Sequence, residues 1–263
     1  MWMVIACLSL ATLATIVLLR YMYSLAFMDQ VKEEYLYFKE FPSDEEISLF
    51  FISDIHRRII HDNIINQVIG KVDFVLIGGD LAEKGVPLEQ IEENLLKLKR
   101  LGPIYFVWGN NDYEMETHDL DALFIRHGIK AIEDTSVLLE TNDGGCISLM
   151  GIDYFDEEEG RGMLTQALED SFPNSFKILA SHTPKITTKI KDEHRINLVL
   201  SGHTHGGQIR IMGLGKYRLG GIDKINDTVV FTSNGYGTSL FPLRLGAKPE
   251  THLIHLNKDC RQQ

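Results

Sequence analysis

Cysteine and positive charge are both scarce in this 263-residue chain, and each shortage removes a class of function. Cysteine occurs three times. Cys7 lies in an apolar run while Cys146 and Cys260 stand alone, so neither a disulfide framework nor a cysteine-based zinc site is expected. Lys and Arg number 26 against 37 Asp and Glu, a net charge of -11, which supplies no basic stripe for nucleic acid. Internal repeats and low-complexity segments are also missing, and nothing in the sequence calls for a protein partner. What remains, 44% hydrophobic and 24% charged residues, is ordinary for a folded chain long enough to bury one large core.

The first conspicuous feature is Trp2 to Leu19, eighteen residues without a charge. As a helix this run would span roughly 27 Å, enough to cross a bilayer. Nothing basic precedes it and Arg20-Tyr21-Met22-Tyr23 follows, which fits a retained anchor better than a cleaved signal peptide. The expected organisation is a transmembrane anchor over 1–21, a linker over 22–46 that includes Pro42, and one domain over 47–263. Arg20, Lys32 and Lys39 all lie C-terminal to the run, so the rule that basic flanks stay inside predicts a single-pass protein of the cell membrane with a cytoplasmic domain.

From residue 47 the chain alternates strand and helix. Ile47 to Ser53 is a continuous apolar run and predicts a strand buried on both faces. Helical spacing over His61 to Gly70, a second buried strand over Val72 to Gly78, a helix over Pro87 to Arg100 and a third strand over Ile104 to Trp108 follow. Later strands are predicted at Ser136–Leu139, Cys146–Ile152, Phe176–Ala180, Ile196–Leu200, Gly207–Ile211, Thr228–Thr232 and Thr251–Leu256, with a helix near Gly162–Asp170. The economical architecture is α/β, with two packed β-sheets flanked by helices in a four-layer αββα sandwich, preceded by the one N-terminal transmembrane helix.

Five polar clusters follow apolar runs in order: Asp54-x-His56, Gly79-Asp80, Gly109-Asn110-Asn111-Asp112, Ser181-His182 and Gly202-His203-x-His205. In parallel α/β sheets the ligand site lies at the carboxyl ends of the strands, so the clusters should converge on one edge. Singly, each has a bland reading: Asp54 as a helix cap, Asp80 as a turn residue, Asn110 as a turn amide, His182 as a loop histidine. His61, His118, His127, His194, His252 and His255 lack such company and read as surface or packing residues. Glu92, Glu93 and the run Asp156 to Glu159 read as solvated charges.

The order and spacing of the five clusters resemble the calcineurin-like metallophosphoesterase family, from about residue 47 to the end of the chain. Gly202-His-Thr-His-Gly-Gly-Gln208 together with Ser233 to Arg244 looks like a membrane-associated phosphodiesterase or pyrophosphatase-like branch of it. The resemblance implies two divalent transition-metal ions. Asp54, His56 and His205 would hold the first, Asn110, His182 and His203 the second, and Asp80 would join them. The chemistry fits these residue types independently: hydrolysis of a phosphate ester at neutral pH needs an activated water and neutralised phosphoryl oxygens, which two ions about 4 Å apart provide. Mixed nitrogen and oxygen donors suit manganese, iron or zinc better than calcium.

Many members of the family carry histidine where this chain has Asn111, and that histidine protonates the leaving group or holds the phosphate. Asparagine cannot act as a general acid. A phosphate leaving group least requires protonation, so the expected activity is hydrolysis of a phosphodiester or pyrophosphate bond, including one in a lipid-linked substrate. Phosphomonoester hydrolysis and a metal-binding, non-catalytic scaffold are the alternatives. Arg57 and Arg58, following His56, are either phosphate-binding forks or surface arginines capping a loop. Asn111, Arg57 and Asp80 are the candidate catalytic residues.

Overall fold

A computed structural model of the chain describes residues 1–156, 158 and 160–259; Glu157, Glu159 and residues 260–263, Cys260 among them, lie outside the described residues. In chain order its helices and strands are α1 (Trp2–Ala26), β1 (Val31–Phe38), β2 (Ile47–Ile52), α2 (Asp62–Val68), β3 (Phe74–Ile77), α3 (Leu88–Lys99), β4 (Ile104–Phe106), α4 (Thr117–His127), β5 (Lys130–Ala131), β6 (Thr135–Glu140), β7 (Cys146–Gly151), α5 (Leu164–Glu169), β8 (Phe176–Ala180), β9 (Leu198–Ser201), β10 (Gly221–Ile225), β11 (Thr228–Thr232) and β12 (Thr251–Lys258).

They form two six-stranded sheets, ordered β1-β12-β2-β3-β4-β5 and β10-β11-β9-β8-β7-β6. In each sheet the middle strands run parallel and an antiparallel neighbour is added, β12 beside β2 in one, β6 and β10 at the edges of the other. Period-two alternation in the apolar runs explains how the layers join. Leu49 and Phe51 of β2 face a core shared with Leu149, Ile178 and Leu200 of the second sheet. Phe50 and Ile52 face the opposite way, against Ile64, Leu95 and Leu120 of α2, α3 and α4. Across the other sheet Met150, Leu179 and Val199 pack on Leu164 and Ala167 of α5. The result is the αββα sandwich.

Two local expectations fail. Residues 22–46 are not simply a linker: β1 pairs in parallel with β12 from Val31–Thr251 to Phe38–Lys258 and buries Leu36 and Phe38. Its partner comes from the opposite end of the chain, so no local pattern announces it. Gly207–Ile211 is not a strand either. His205–Gly207 is a 3-10 turn, with Gly206 at φ +59° and Gly207 at φ +79° folding the chain away from extended geometry.

Helix α1 is, among the described residues, the one helix long and apolar enough to cross a membrane, and its most apolar stretch is wholly exposed. It continues to Ala26, and Met22, Leu25 and Ala26 are buried against the domain. Main-chain Arg244 N–H donates to Met22 O at 3.1 Å. The buried Arg58 guanidinium donates to Ala26 O at 3.3 Å, Met28 O at 2.8 Å and Asp29 Oδ1 at 2.8 Å.

Candidate metal centre

Five parallel strand ends supply the site. The chain leaves β2 into Ser53-Asp54-Ile55-His56, β3 into Gly78-Gly79-Asp80, β4 toward Gly109-Asn110-Asn111, β8 into Ser181-His182 and β9 into Gly202-His203-Thr204-His205. Backbone bonds stitch these loops together: Asp54 N–H to Gly79 O at 3.0 Å, Ile55 N–H to Asp80 O at 2.8 Å and Gly202 N–H to His182 O at 2.9 Å. A Cβ at Gly109 would lie 2.2 Å from Asp80 Oδ1, and one at Gly202 would lie 2.4 Å from Asp54 Oδ2, so both positions require glycine. Asp54, His56, Asp80, His203 and His205 all hold left-handed backbone, with φ of +55°, +52°, +52°, +68° and +49°. Each such non-glycine residue costs on the order of 1 kcal/mol or more, a strain that clusters at functional sites.

Six of the seven sequence-predicted metal ligands come together, and the seventh, Asn110, lines the same cavity as Asp80, His203 and His205. His56 and His205 bring their Nε2 atoms to 3.1 Å of each other, and His205 Nε2 lies 3.3 Å from Asp54 Oδ1. On the other side His182 Nε2 lies 3.2 Å from His203 Nδ1. Asp80 stands between the two groups, its Oδ2 3.7 Å from His56 Nε2 and 3.3 Å from His182 Nε2. Donor atoms of Asp54, His56 and His205, and separately of Asp54, Asp80 and His182, are close enough to share an ion.

The donor chemistry fits a metal. His182 Nδ1 bonds Gly78 O at 2.8 Å, which presents Nε2 to the site. Asn110 gives Nδ2 to Asn111 Oδ1 at 2.9 Å, and its Oδ1 is buried without a hydrogen-bond partner among the described residues. A buried carbonyl oxygen without a partner, on the same cavity wall as Asp80 and His203, has the chemistry of a cation ligand.

Without an ion, the clustered charges set one another. Burial opposes ionisation of Asp80, but His182, His56 and the Asn111 N–H outweigh it and hold the carboxyl far below its ordinary range. Burial likewise opposes charge on His182, yet Asp80, Asp54 and the Gly78 carbonyl raise it to about 10. His205 is pushed down to about 3, first by burial, with His56 and Arg244 adding to the effect against Asp54.

The remaining candidates fall differently. Asn111 N–H donates to Asp80 Oδ1 at 2.8 Å and its Nδ2 to Glu114 Oε1 at 3.0 Å. Asn111 lines a cavity of about 260 Å³ with Asp80, Asn110, His203, Lys216 and Tyr217. Arg57 is outside that lining: its exposed side chain pairs with Glu83 and donates to Lys84 O at 2.7 Å. Arg58 is no surface arginine but the buried brace of α1's end described above. Arg58, engaged by buried carbonyls and Asp29, is thus not a phosphate fork, while Arg57 is exposed and tied through Glu83 to the neighbourhood of His56. Glu92 pairs with His127 and Arg126, and Glu93 with Lys97.

Sequence reasoning missed three supporting residues. Glu83 Oε2 sits 3.0 Å from His56 Nδ1, off the hydrogen-bonding direction. Asp112 Oδ2 accepts from Gly109 N–H and Asp80 N–H, both at 2.8 Å, and burial followed by repulsion from Asp80 raises its pKa to about 7. Arg244 is fully buried and donates to Asn234 O and Gly237 O, both at 2.7 Å, and to His205 O at 3.3 Å. Asp112 closed one of the five clusters and Arg244 the Ser233–Arg244 segment, each without an assigned role; Glu83 carried no signal of its own.

Comparison with known proteins agrees with this geometry. The family model described as calcineurin-like phosphoesterase matches residues 47–207. The uncharacterized protein YpbG of Bacillus subtilis is 39% identical over 247 residues, covering 93% of this chain and 94% of that protein. The phosphodiesterase YaeI of Escherichia coli is 26% identical over 227 residues, covering 79% of this chain and 81% of that protein. In fold, the chain is similar to the NAD nucleotidase of Haemophilus influenzae, with a TM-score of 0.51 at 16% identity over 73% of this chain; it spans 46% of that structure's length. With ligand-type side chains gathered at five strand ends and a family model matched across them, the chain belongs to the calcineurin-like phosphoesterase family, a family of metal-dependent phosphoric ester hydrolases.

Proposed function

We propose that the protein is a membrane-anchored, dinuclear phosphoesterase that hydrolyses a phosphodiester or pyrophosphate bond, lipid-linked substrates included. The observation that carries this reading is the position of Asp80 Oδ2 between His56 Nε2 and His182 Nε2, at 3.7 and 3.3 Å. Asp54, His56 and His205 would hold one ion, Asn110, His182 and His203 the other, and Asp80 both. Two divalent ions held there supply an activated water at neutral pH and neutralise phosphoryl charge. Manganese, iron and zinc all match the mixed donors.

The chain's own residues do the rest. Gly78 O fixes the His182 ring, and Asp112 pins the loops of Asp80 and Gly109. Lys216 lines the cavity and brings positive charge to a phosphate there. Asn111 orients the Asn110 amide and has no proton to deliver to a leaving group, which favours stable leaving groups such as a phosphate. Residues 1–21 serve as the anchor and the domain begins before residue 47, at β1. The basic residues after the anchor favour a cytoplasmic domain.

Loading the purified full-length protein with manganese or zinc and measuring metal content by elemental analysis should give close to two ions per chain. Hydrolysis of aryl phosphodiester and pyrophosphate substrates should exceed that of alkyl phosphomonoesters. A stoichiometry near zero, or a preference for alkyl monoesters, refutes the reading.

A further inference from the structure

Beside the metal cavity the chain makes a tight turn of unusual composition. Ile211 and Leu214 exchange main-chain hydrogen bonds, each 2.9 Å, around Met212 at φ +50° and Gly213 at φ +83°. Positive φ at both central residues is the geometry of a two-residue turn that normally carries Asn-Gly or Asp-Gly at a wet tip. Here the first central residue is methionine, 97% exposed, between Ile211 at 67% and Leu214 at 80%. In water this tip is unfavourable twice, through a strained non-glycine backbone and through bare apolar surface.

The turn has an apolar neighbour. Gln208 accepts from Ser239 N–H at 2.9 Å and donates to Ser239 O at 3.0 Å and Phe241 O at 3.2 Å. This lashes the turn to a second loop whose Leu240 and Phe241 are 88% and 70% exposed. Leu240 lines the metal cavity and also a second cavity shared with Ala26 and Phe27 at the end of α1. Arg244, three residues beyond Phe241, bonds Met22 O through its main-chain N–H at 3.1 Å. Leu240 thus joins the rim of the metal cavity to the end of the exposed helix, and Gln208 ties the segment leading into the turn to the same loop; Lys216 and Arg218 follow the turn in sequence.

We propose that Ile211–Leu214 and Leu240–Phe241 form a second bilayer contact, which with α1 holds the rim of the metal cavity against the membrane surface so that a lipid-borne phosphate enters from the bilayer. The proposal rests on the reading of α1 as a span and of the cavity as the phosphoester site. A bilayer suits the surface better than a partner protein. Leu240 of the patch shares a cavity with Ala26 and Phe27 at the end of a helix of bilayer-spanning length, and basic residues follow the apolar tip in sequence, as in interfacial segments.

The test uses the full-length chain in vesicles of dioleoylphosphatidylcholine and dioleoylphosphatidylglycerol, with or without acyl-brominated phosphatidylcholine. In a Trp2→Phe background, the fluorescence added by Met212→Trp should be quenched by brominated acyl chains, while that added by Ile125→Trp, on the exposed face of α4, should not. Equal quenching at the two positions, or none at 212, overturns the proposal. So does a detergent-stable dimer that Met212→Asp dissociates, which would assign the patch to a second copy. A functional arm separates docking from chemistry. Met212→Asp combined with Leu214→Asp should slow hydrolysis of a vesicle-embedded phosphodiester by about tenfold while leaving a soluble aryl phosphodiester unaffected. Equal losses on both substrates overturn docking. Quenching at 212 in a protein inactive on both substrates would instead leave the docking intact and refute the phosphoesterase reading.

Discussion

Oδ2 of Asp80 lies 3.3 Å from Nε2 of His182, with both side chains buried. The carboxylate also accepts from Asn111 N–H through Oδ1, and its own N–H is held by Asp112, so its position is fixed from three directions. Replacing it should disturb every ligand that faces it. Asp80→Ala should lose more metal than His203→Ala, because the carboxylate faces both histidine groups and His203 only one. Elemental analysis of the two variants, with circular dichroism to verify folding, checks the order; full activity and full metal content in Asp80→Ala would remove the bridging role.

Glu83 offers a second test, of a residue whose action passes through another. One oxygen lies 3.0 Å from His56 Nδ1, and the other is paired with Arg57. A carboxylate this close to the outer nitrogen of a ligating ring raises the ring's basicity, and loss of such outer groups typically costs roughly 10- to 100-fold in metal affinity or activity. Glu83→Gln should lower metal affinity within that range, whereas Arg57→Ala, one step further out, should have a smaller effect. Metal titrations of the two variants measure this, and an Arg57→Ala loss larger than that of Glu83→Gln would instead favour direct contact of Arg57 with substrate.

How much of this was legible beforehand follows from what leaves a local trace. β2, β3, β8 and β9 are buried apolar runs, and a polar cluster directly after each such run is visible without a structure. The seven ligand-type residues could therefore be named from spacing and resemblance, and the αββα layering from strand and helix alternation. β1 could not, because Lys32 and Glu34 interrupt the apolar pattern on its inward face and its partner is β12, more than two hundred residues away. β10 is exposed along its whole length and presents no buried pattern. Arg58 looked like a surface residue because nothing local says that α1's end folds back on it. The left-handed backbone of the site residues is likewise invisible: such φ values are expected of glycine, and here they are imposed on Asp and His by the loops around them.

Away from the metal site, Glu250 ties β12 to the opposite end of the chain. It is buried, pairs with Lys32 of β1, lies 3.5 Å from His252 Nε2 and accepts from Asn234 N–H at 2.8 Å. Burial alone would raise its pKa, but His252, Lys32 and the Asn234 amide bring it down to about 2. A carboxyl depressed in the folded state stabilises the fold above its ordinary pKa near 4.5, and that contribution disappears as pH falls from there toward 2. The shift corresponds to about 3 kcal/mol. Glu250→Gln should therefore be less stable than the parent at pH 7 and show a flatter loss of stability between pH 4.5 and 2. Urea unfolding in detergent across that range measures the difference; parallel curves would show that Glu250 is not the titrating group.

Asn111 bears on the choice of substrate, and the structure sharpens the argument. Its Oδ1 accepts from Asn110 Nδ2 at 2.9 Å and its Nδ2 donates to Glu114 Oε1 at 3.0 Å, so the side chain is engaged in orienting a ligand-type neighbour. It sits on the wall of the metal cavity, where a leaving group would depart, and an amide cannot supply a proton. Rates should consequently fall steeply as the leaving group becomes more basic, with aryl and nucleoside-phosphate groups released well and alkoxides poorly. Asn111→His should flatten that dependence, improving the poorest leaving groups by roughly 100-fold if acid catalysis is gained. Histidine can still accept from Asn110 through one ring nitrogen, so metal content should change little. The measurement is a series of aryl and alkyl phosphodiesters of graded leaving-group pKa, with metal content determined on the same samples. Steep dependence in the parent and a shallow one in the variant, at equal metal content, would identify position 111 as the determinant. An identical shallow dependence in both would mean that protonation comes from elsewhere, and the preference for diester or pyrophosphate bonds over alkyl monoesters would lose its physical basis.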